Sequence, residues 1–210
     1  MPRLPSTPSL GSPATPVPHK PSATPQKGKA PLTVEIANQH PRLRFRRAEV
    51  KRLFSILEQS RESIVLPKTL PKPPRDRPDE PLTAARQING SSTLSIVFMT
   101  DAALAQLHAD FLDDPTPTDV ITFEGSPELG TAGEICVSAD RAAAYAAAKP
   151  DRDFSRELAL YLVHGWLHLA GYDDLAPPLK RQMRAAEARA LHALDTAHAI
   201  PRFTFAQAAA

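Results

Sequence analysis

His164 and His168 stand four residues apart, so on a helix their imidazoles share one face, a turn apart. Around them Leu158, Leu160, Tyr161, Leu162, Val163, Trp166, Leu167 and Leu169 are apolar nearly all round, the pattern of a helix buried within its own domain. Gly171 supplies the left-handed residue on which helices end, and the fold-back beyond it swings Asp173 or Asp174 toward the pair. Two imidazoles and a carboxylate on a rigid helix–turn unit make a three-ligand Zn2+ site whose fourth position is open to water. A lone core histidine is more often a hydrogen-bonded structural residue, and His-xxx-His arises by chance on many helices. On an apolar helix, however, two neutral imidazoles each need polar partners, and the glycine and carboxylates follow at the spacing a metal requires.

The neighbour of the first histidine decides which chemistry such a metal serves. In the peptidase form of this helix, His-Glu-x-x-His, a glutamate is the general base. Gly165 stands in that place, so no carboxylate beside the first ligand activates water for amide hydrolysis. The order of histidines, glycine and carboxylate still copies the helix, turn and third ligand of the extended zincins. A zinc metallopeptidase therefore stays as an alternative, its base supplied from elsewhere in the fold.

The elements that must position this unit follow from periodicity. Leu32–Asn38 alternates as a strand, and a helix runs from about Arg44 to Ser60, with Val50, Leu53, Phe54 and Leu57 on its apolar face. Arg42, Arg44, Arg46, Arg47, Lys51 and Arg52 crowd its start, where cations oppose the helix dipole. They form either a solvated face or an RNA-phosphate contact. Thr93–Met99 is a strand with Leu94, Ile96 and Phe98 on one side, and Thr100 caps a helix from Asp101 to about Leu112. Strands follow at Pro117–Phe123 and Gly133–Ser138, then an Ala-rich helix from Asp140 to Lys149 stopped by Pro150. The histidine helix opens near Asp153 or Ser155, and a last amphipathic helix spans Pro178 to Ala197 with Met183, Ala186, Ala190, Leu191 and Leu194 inward. The strands around Ile121 and Ile135 lie too close in sequence for a helical crossover, so one antiparallel pairing enters the sheet. The fold class is α+β, a small mixed sheet packed with helices and carrying a zincin-like metal helix.

Composition bounds the rest. Of 210 residues, 23 are proline, gathered where no core can form. Residues 1–31 are a Pro/Ser/Thr-rich tail expected to stay disordered, and 67–81 are a Pro-rich surface loop. A single metal-dependent hydrolase domain is expected over 32–200, and 201–210 read as a C-terminal tail. A net charge of +2 rules out a globally basic nucleic-acid binder and leaves only a local patch. The single cysteine, Cys136, excludes an internal disulfide framework and fits a reducing compartment. No stretch is long and apolar enough for a membrane span or a signal-peptide core, so the expected location is the cytoplasm. There is no Gly-rich phosphate loop.

From His164 to Asp173 the chain reads His-Gly-Trp-Leu-His-Leu-Ala-Gly-Tyr-Asp. This resembles the signature of the YbeY family, bacterial metal-dependent endoribonucleases of ribosomal RNA maturation. Pro117-Thr118-Asp119-Val120-Ile121-Thr122-Phe123 and Gly133-Glu134-Ile135 are similar to two further family stretches. Met183 and Glu187 fall where the family's last helix carries Met and Glu. The resemblance implies hydrolysis of single-stranded RNA, a 16S rRNA precursor, in partnership with the small ribosomal subunit. It implies a metal held by His164, His168 and the residue at 174, with no side chain identified as general base. A ribosome-assembly factor with a merely structural metal is the alternative from another class. Two departures stand out: Asp174 replaces the family's third histidine, and Leu112 stands where some relatives place an arginine. A carboxylate at 174 implies a slightly weaker Lewis acid and a shift toward harder metals. Asp119 is either turn chemistry or substrate-facing, and Asp173 either closes the turn or supports a ligand. Trp166 and Tyr172 are candidate stacking surfaces for bases, with Trp166 the better fit to the core.

Overall fold

The computed structural model describes residues 32–66, 92–112 and 116–206. The tail at 1–31 and the loop at 67–81 lie outside those residues. Four strands form the main sheet: β1 (Thr33–Asn38), β3 (Thr93–Met99), β4 (Val120–Glu124) and β5 (Thr131–Ser138), in the order β1-β3-β5-β4. β1, β3 and β5 are parallel, and β4 returns antiparallel on β5 with Ile121 opposite Cys136. The mixed sheet thus contains the antiparallel pair that the short spacing required.

Alternation along β3 and β5 separates two cores. Leu94, Ile96 and Phe98, with Ile135 and Val137, point into the large core, while Val97 and Cys136 meet Leu104 and Ile121 on the other face. The smaller layer is covered by α3 (Asp101–Leu112), whose start is capped where the Thr100 hydroxyl accepts the Ala103 N–H at 3.2 Å. Burial there, together with the Glu134 carboxylate, pushes the Cys136 thiol up to about 12, so no thiolate nucleophile exists at neutral pH.

The large core is closed by α1 (Arg47–Gln59), the short α2 (Arg61–Ile64), α4 (Ala139–Ala147), α5 (Phe154–Leu169) and α6 (Pro177–Thr196). Val50, Leu53, Phe54 and Leu57 are buried on α1 as their spacing predicts. Its start differs from the expected Arg44: Leu43–Arg44 forms a two-residue strand, β2, paired antiparallel with β6 (Thr204–Phe205). Phe45 then packs 4.6 Å from Phe98 and 5.6 Å from Phe203, ring centre to ring centre, which holds this segment extended. The same contacts correct the domain end expected at 200. Pro201 and Phe203 are buried, and the Ser155 hydroxyl accepts the Phe203 N–H at 2.9 Å, so residues 201–206 belong to the fold. Among the described residues, no helix is long and apolar enough to cross a membrane.

Candidate metal centre

α5 is the central helix, buried along most of its surface because it lies between the sheet, α4 and α6. Its N-terminus is capped where the Asp153 carboxylate accepts the Arg156 N–H at 2.8 Å. Gly165 explains how closely it sits on the sheet. A Cβ there would lie 2.6 Å from Ile135 Cγ2 and 3.2 Å from methyls of Thr122 and Val120. A glutamate at this position would be driven into β4 and β5, so the peptidase base is absent for a packing reason.

The helix ends in a Schellman turn. The Tyr172 N–H donates to Leu167 O at 3.0 Å and the Gly171 N–H to His168 O at 2.8 Å, with Gly171 at φ 94°. That turn carries the chain back over the histidines. The Asp173 carboxylate accepts the Leu175 N–H at 3.0 Å and so closes the turn, which leaves Asp174 to face the imidazoles. His168 Nε2 lies 3.8 Å from Asp174 Oδ1 and 2.9 Å from His164 Nε2, and ligand atoms of all three residues fall within 4.8 Å of one another.

The outer ring nitrogens fix the tautomers. His168 Nδ1 lies 3.1 Å from Tyr172 O, a carbonyl that only accepts, so Nδ1 carries the proton. His164 Nδ1 lies 2.7 Å from the Glu187 carboxylate and likewise donates. Both Nε2 atoms therefore present lone pairs to each other across 2.9 Å. Such a pair needs a shared cation: a proton on one ring, or a metal between them. Two neutral imidazoles backed by acceptors and joined by a carboxylate are a donor set that fits Zn2+. Burial alone would lower the His164 pKa, yet the bond to Glu187 and the charges of Glu187, Asp119 and Asp174 hold it above the ordinary value. Burial and the neighbouring charge of His164 push His168 down.

His164 and Asp174 open into a cavity of about 450 Å³ that is also lined by Asp119, Tyr161, Met183 and Glu187. Asp119 closes the turn before β4, its carboxylate accepting the Val120 N–H at 3.1 Å, and also borders the cavity. Glu187 is recognisable in sequence only by its place in the last helix; α6 packing on α5 gives it its partner. Trp166 is fully buried, its Nε1–H donating to Glu58 at 2.8 Å. Tyr172 is 3 % exposed and its hydroxyl accepts from Arg189 at 3.2 Å, which corrects the expectation that it stacks on bases. The Arg42–Arg52 cluster is not part of the cavity lining. Arg52 instead donates to Ala197 O and His198 O, capping the C-terminal end of α6 where the helix dipole welcomes a cation. The cations that do line the cavity are Arg152, Lys180 and Arg184, which no sequence motif singles out.

Comparison with known proteins bears on the same stretch. The sequence model of the family described as Endoribonuclease YbeY matches residues 80–195. A protein named Endoribonuclease YbeY from Mycolicibacterium paratuberculosis is 38 % identical over 120 residues, 51 % of this chain and 67 % of that one. One of the same name from Protochlamydia amoebophila is 43 % identical over 101 residues, covering 46 % and 66 %. The Mycobacterium marinum protein is 38 % identical over 116 residues, covering 50 % and 65 %, so the chain spans about two thirds of these relatives. A solution structure from Thermotoga maritima aligns with 80 % of this chain and 95 % of its own at 20 % identity, with a TM-score of 0.43.

Proposed function

Because the chain belongs to the Endoribonuclease YbeY family, we propose that it is a single-strand-specific, metal-dependent endoribonuclease. Its task is maturation of 16S rRNA in the cytoplasm, in association with the small ribosomal subunit. The observation that carries this reading is the pair of Nε2 atoms 2.9 Å apart, with a carboxylate beside them, inside the family's matched stretch.

His164, His168 and Asp174 would hold one Zn2+, or a harder divalent ion that the carboxylate favours. When bound, the ion supplies Lewis-acid charge for a phosphoryl oxygen and makes a water molecule ionisable near neutral pH. The protein's own contribution is orientation. Glu187 and the Tyr172 carbonyl hold the Nδ1 protons, so both Nε2 lone pairs stay directed inward. The Schellman turn fixes Asp174 relative to the helix, and Gly165 lets the sheet hold the helix from behind. Met183, 1 % exposed, gives the cavity an apolar wall.

Incubation of the purified, zinc- or manganese-loaded protein with a single-stranded fragment of 16S rRNA tests the proposal. The expected result is internal cutting that a chelator stops while the protein stays folded, and that His164→Ala abolishes. An intact RNA substrate after exposure to metal-loaded protein overturns the nuclease reading. Unfolding on chelation, without any cutting beforehand, would assign the metal a structural role. Asp174→His examines the third position, and is expected to bind zinc more tightly and lose the tolerance for harder ions.

A further inference from the structure

The cations around the metal centre come from two elements that the sequence keeps apart. Arg152 lies in the turn before α5, and Lys180 and Arg184 lie one helical turn apart on α6. Arg152 is held in place from two sides. Its Nη1 donates to Glu157 at 2.9 Å, and its Cζ lies 4.9 Å from the centre of the Tyr145 ring. Glu157 is buried at 6 % exposure, whereas Arg152 is 39 % exposed. A buried carboxylate and an aromatic face thus orient a guanidinium whose remaining donors stay available.

Other arginines nearby are already engaged. Arg156 makes a two-point ion pair with Asp195 at 2.6 and 2.9 Å, and Arg189 donates to Ile64 O. The side chains of Lys180 and Arg184 are exposed and form no ion pair or hydrogen bond among the described residues. The cavity is also not a closed cup. A second depression of about 290 Å³ shares Arg152, Glu157 and Leu160 with it and reaches Asp151, Asp153 and Arg156 around the start of α5 and Leu191 on α6.

Charge completes the picture. The cavity lining carries four carboxylates (Asp119, Glu157, Asp174 and Glu187) against three cations. With neutral histidines it is negative by one, and a divalent ion turns it positive by one. We propose that Arg152, Lys180 and Arg184 form a phosphate-positioning subsite that seats backbone phosphates of single-stranded RNA flanking the reactive one. This inference rests on the endoribonuclease reading and adds which side chains grip the polyanion.

The test uses the full-length, zinc-loaded protein and Arg152→Gln, Lys180→Gln and Arg184→Gln, with Arg181→Gln as the control. Arg181 is exposed on the same helix but is not in the cavity lining. Anisotropy of a labelled, single-stranded 2′-O-methyl oligoribonucleotide gives affinity against salt, and an unmodified strand gives kcat and KM. Each cavity variant should lower the slope of log affinity against log salt by about 0.7, one lost phosphate contact on a single strand. That slope corresponds to roughly fivefold weaker binding at about 0.1 M salt than with the contact intact. KM should rise more than kcat falls, and Arg181→Gln should behave as wild type. Arg152→Lys should keep the salt slope yet lose affinity, since an ammonium cannot bridge Glu157 and a phosphate as a planar fork does. Cavity variants with the wild-type slope and KM overturn the subsite while wild type still cuts RNA. A wild-type protein that neither binds nor cuts RNA overturns the endoribonuclease reading, and the subsite with it.

Discussion

Removing the carboxylate behind His164 is the most informative perturbation of the centre. Glu187 Oε1 sits 2.7 Å from His164 Nδ1, a short charge-assisted contact that both orients the ring and raises its basicity. Glu187→Gln keeps an oxygen that accepts from Nδ1 but removes the charge, whereas Glu187→Ala removes both. Loss of such a partner lowers metal affinity about 10- to 100-fold, so Gln should fall near the lower figure and Ala near the upper. The pH dependence follows from the raised pKa of His164, where the lowering effect of burial is outweighed by Glu187 together with the charges of Asp119 and Asp174. Zinc competes with the proton on this ring, and Glu187→Gln weakens proton and metal alike. The gap between wild type and variant should therefore be fullest at about pH 8 and narrow as pH falls through the His164 pKa. Competition titration with a chromophoric chelator at both ends of that range measures it. Equal affinities would refute the orienting role of Glu187, and a gap independent of pH would refute His164 as a proton-competing ligand.

Three further substitutions probe the frame. Gly165→Ala should destabilise the fold by about 1 kcal/mol in urea titration: overpacking against buried Ile135 costs about 1–3 kcal/mol, and better helix propensity returns roughly 1; a stabilised variant would show that α5 does not press on the sheet. Glu58→Ala leaves the fully buried Trp166 indole N–H without its 2.8 Å acceptor and should cost about 1–3 kcal/mol, read as a lower urea midpoint; an unchanged midpoint would mean that water satisfies the indole. Burial raises the Asp140 pKa, but the bonds from His40 and the Asp101 N–H outweigh it and hold the carboxyl below its ordinary value. Its stabilising contribution is therefore complete above the unfolded-state pKa and disappears as pH falls through the folded one, so Asp140→Asn should flatten stability against acid. A variant with the wild-type acid profile would contradict that assignment.

The parts of the centre that could be read from sequence are those made by local geometry. His164, His168, Gly171 and Asp174 lie within three turns' length of chain, where helical period and turn chemistry fix relative positions. The choice between Asp173 and Asp174 needed the turn itself, which spends Asp173 on the Leu175 N–H. Glu187 and Arg152 reach the cavity only because α6 and the turn before α5 pack around one helix, a relation with no sequence period. The Arg42–Arg52 cluster at the start of α1 reads in sequence as either a solvated face or an RNA contact, because its number is visible there and its partners are not; Arg52 caps α6. In the fold, long periodic elements such as β3, α1 and α6 were legible to within a few residues. The ribbon of β2 with β6 was not, since two-residue strands carry no alternation and Phe203 is buried by distant aromatic neighbours.

His164, His168 and Asp174 are proposed to grip one divalent ion. Crystals of the zinc-loaded protein, measured on both sides of the zinc absorption edge, locate that ion directly. One anomalous peak per chain is expected, in contact with both Nε2 atoms and the Asp174 carboxylate, and absent from Asp174→Ala or much weakened there. A peak elsewhere, or none beside the two imidazoles in fully loaded protein, would contradict it.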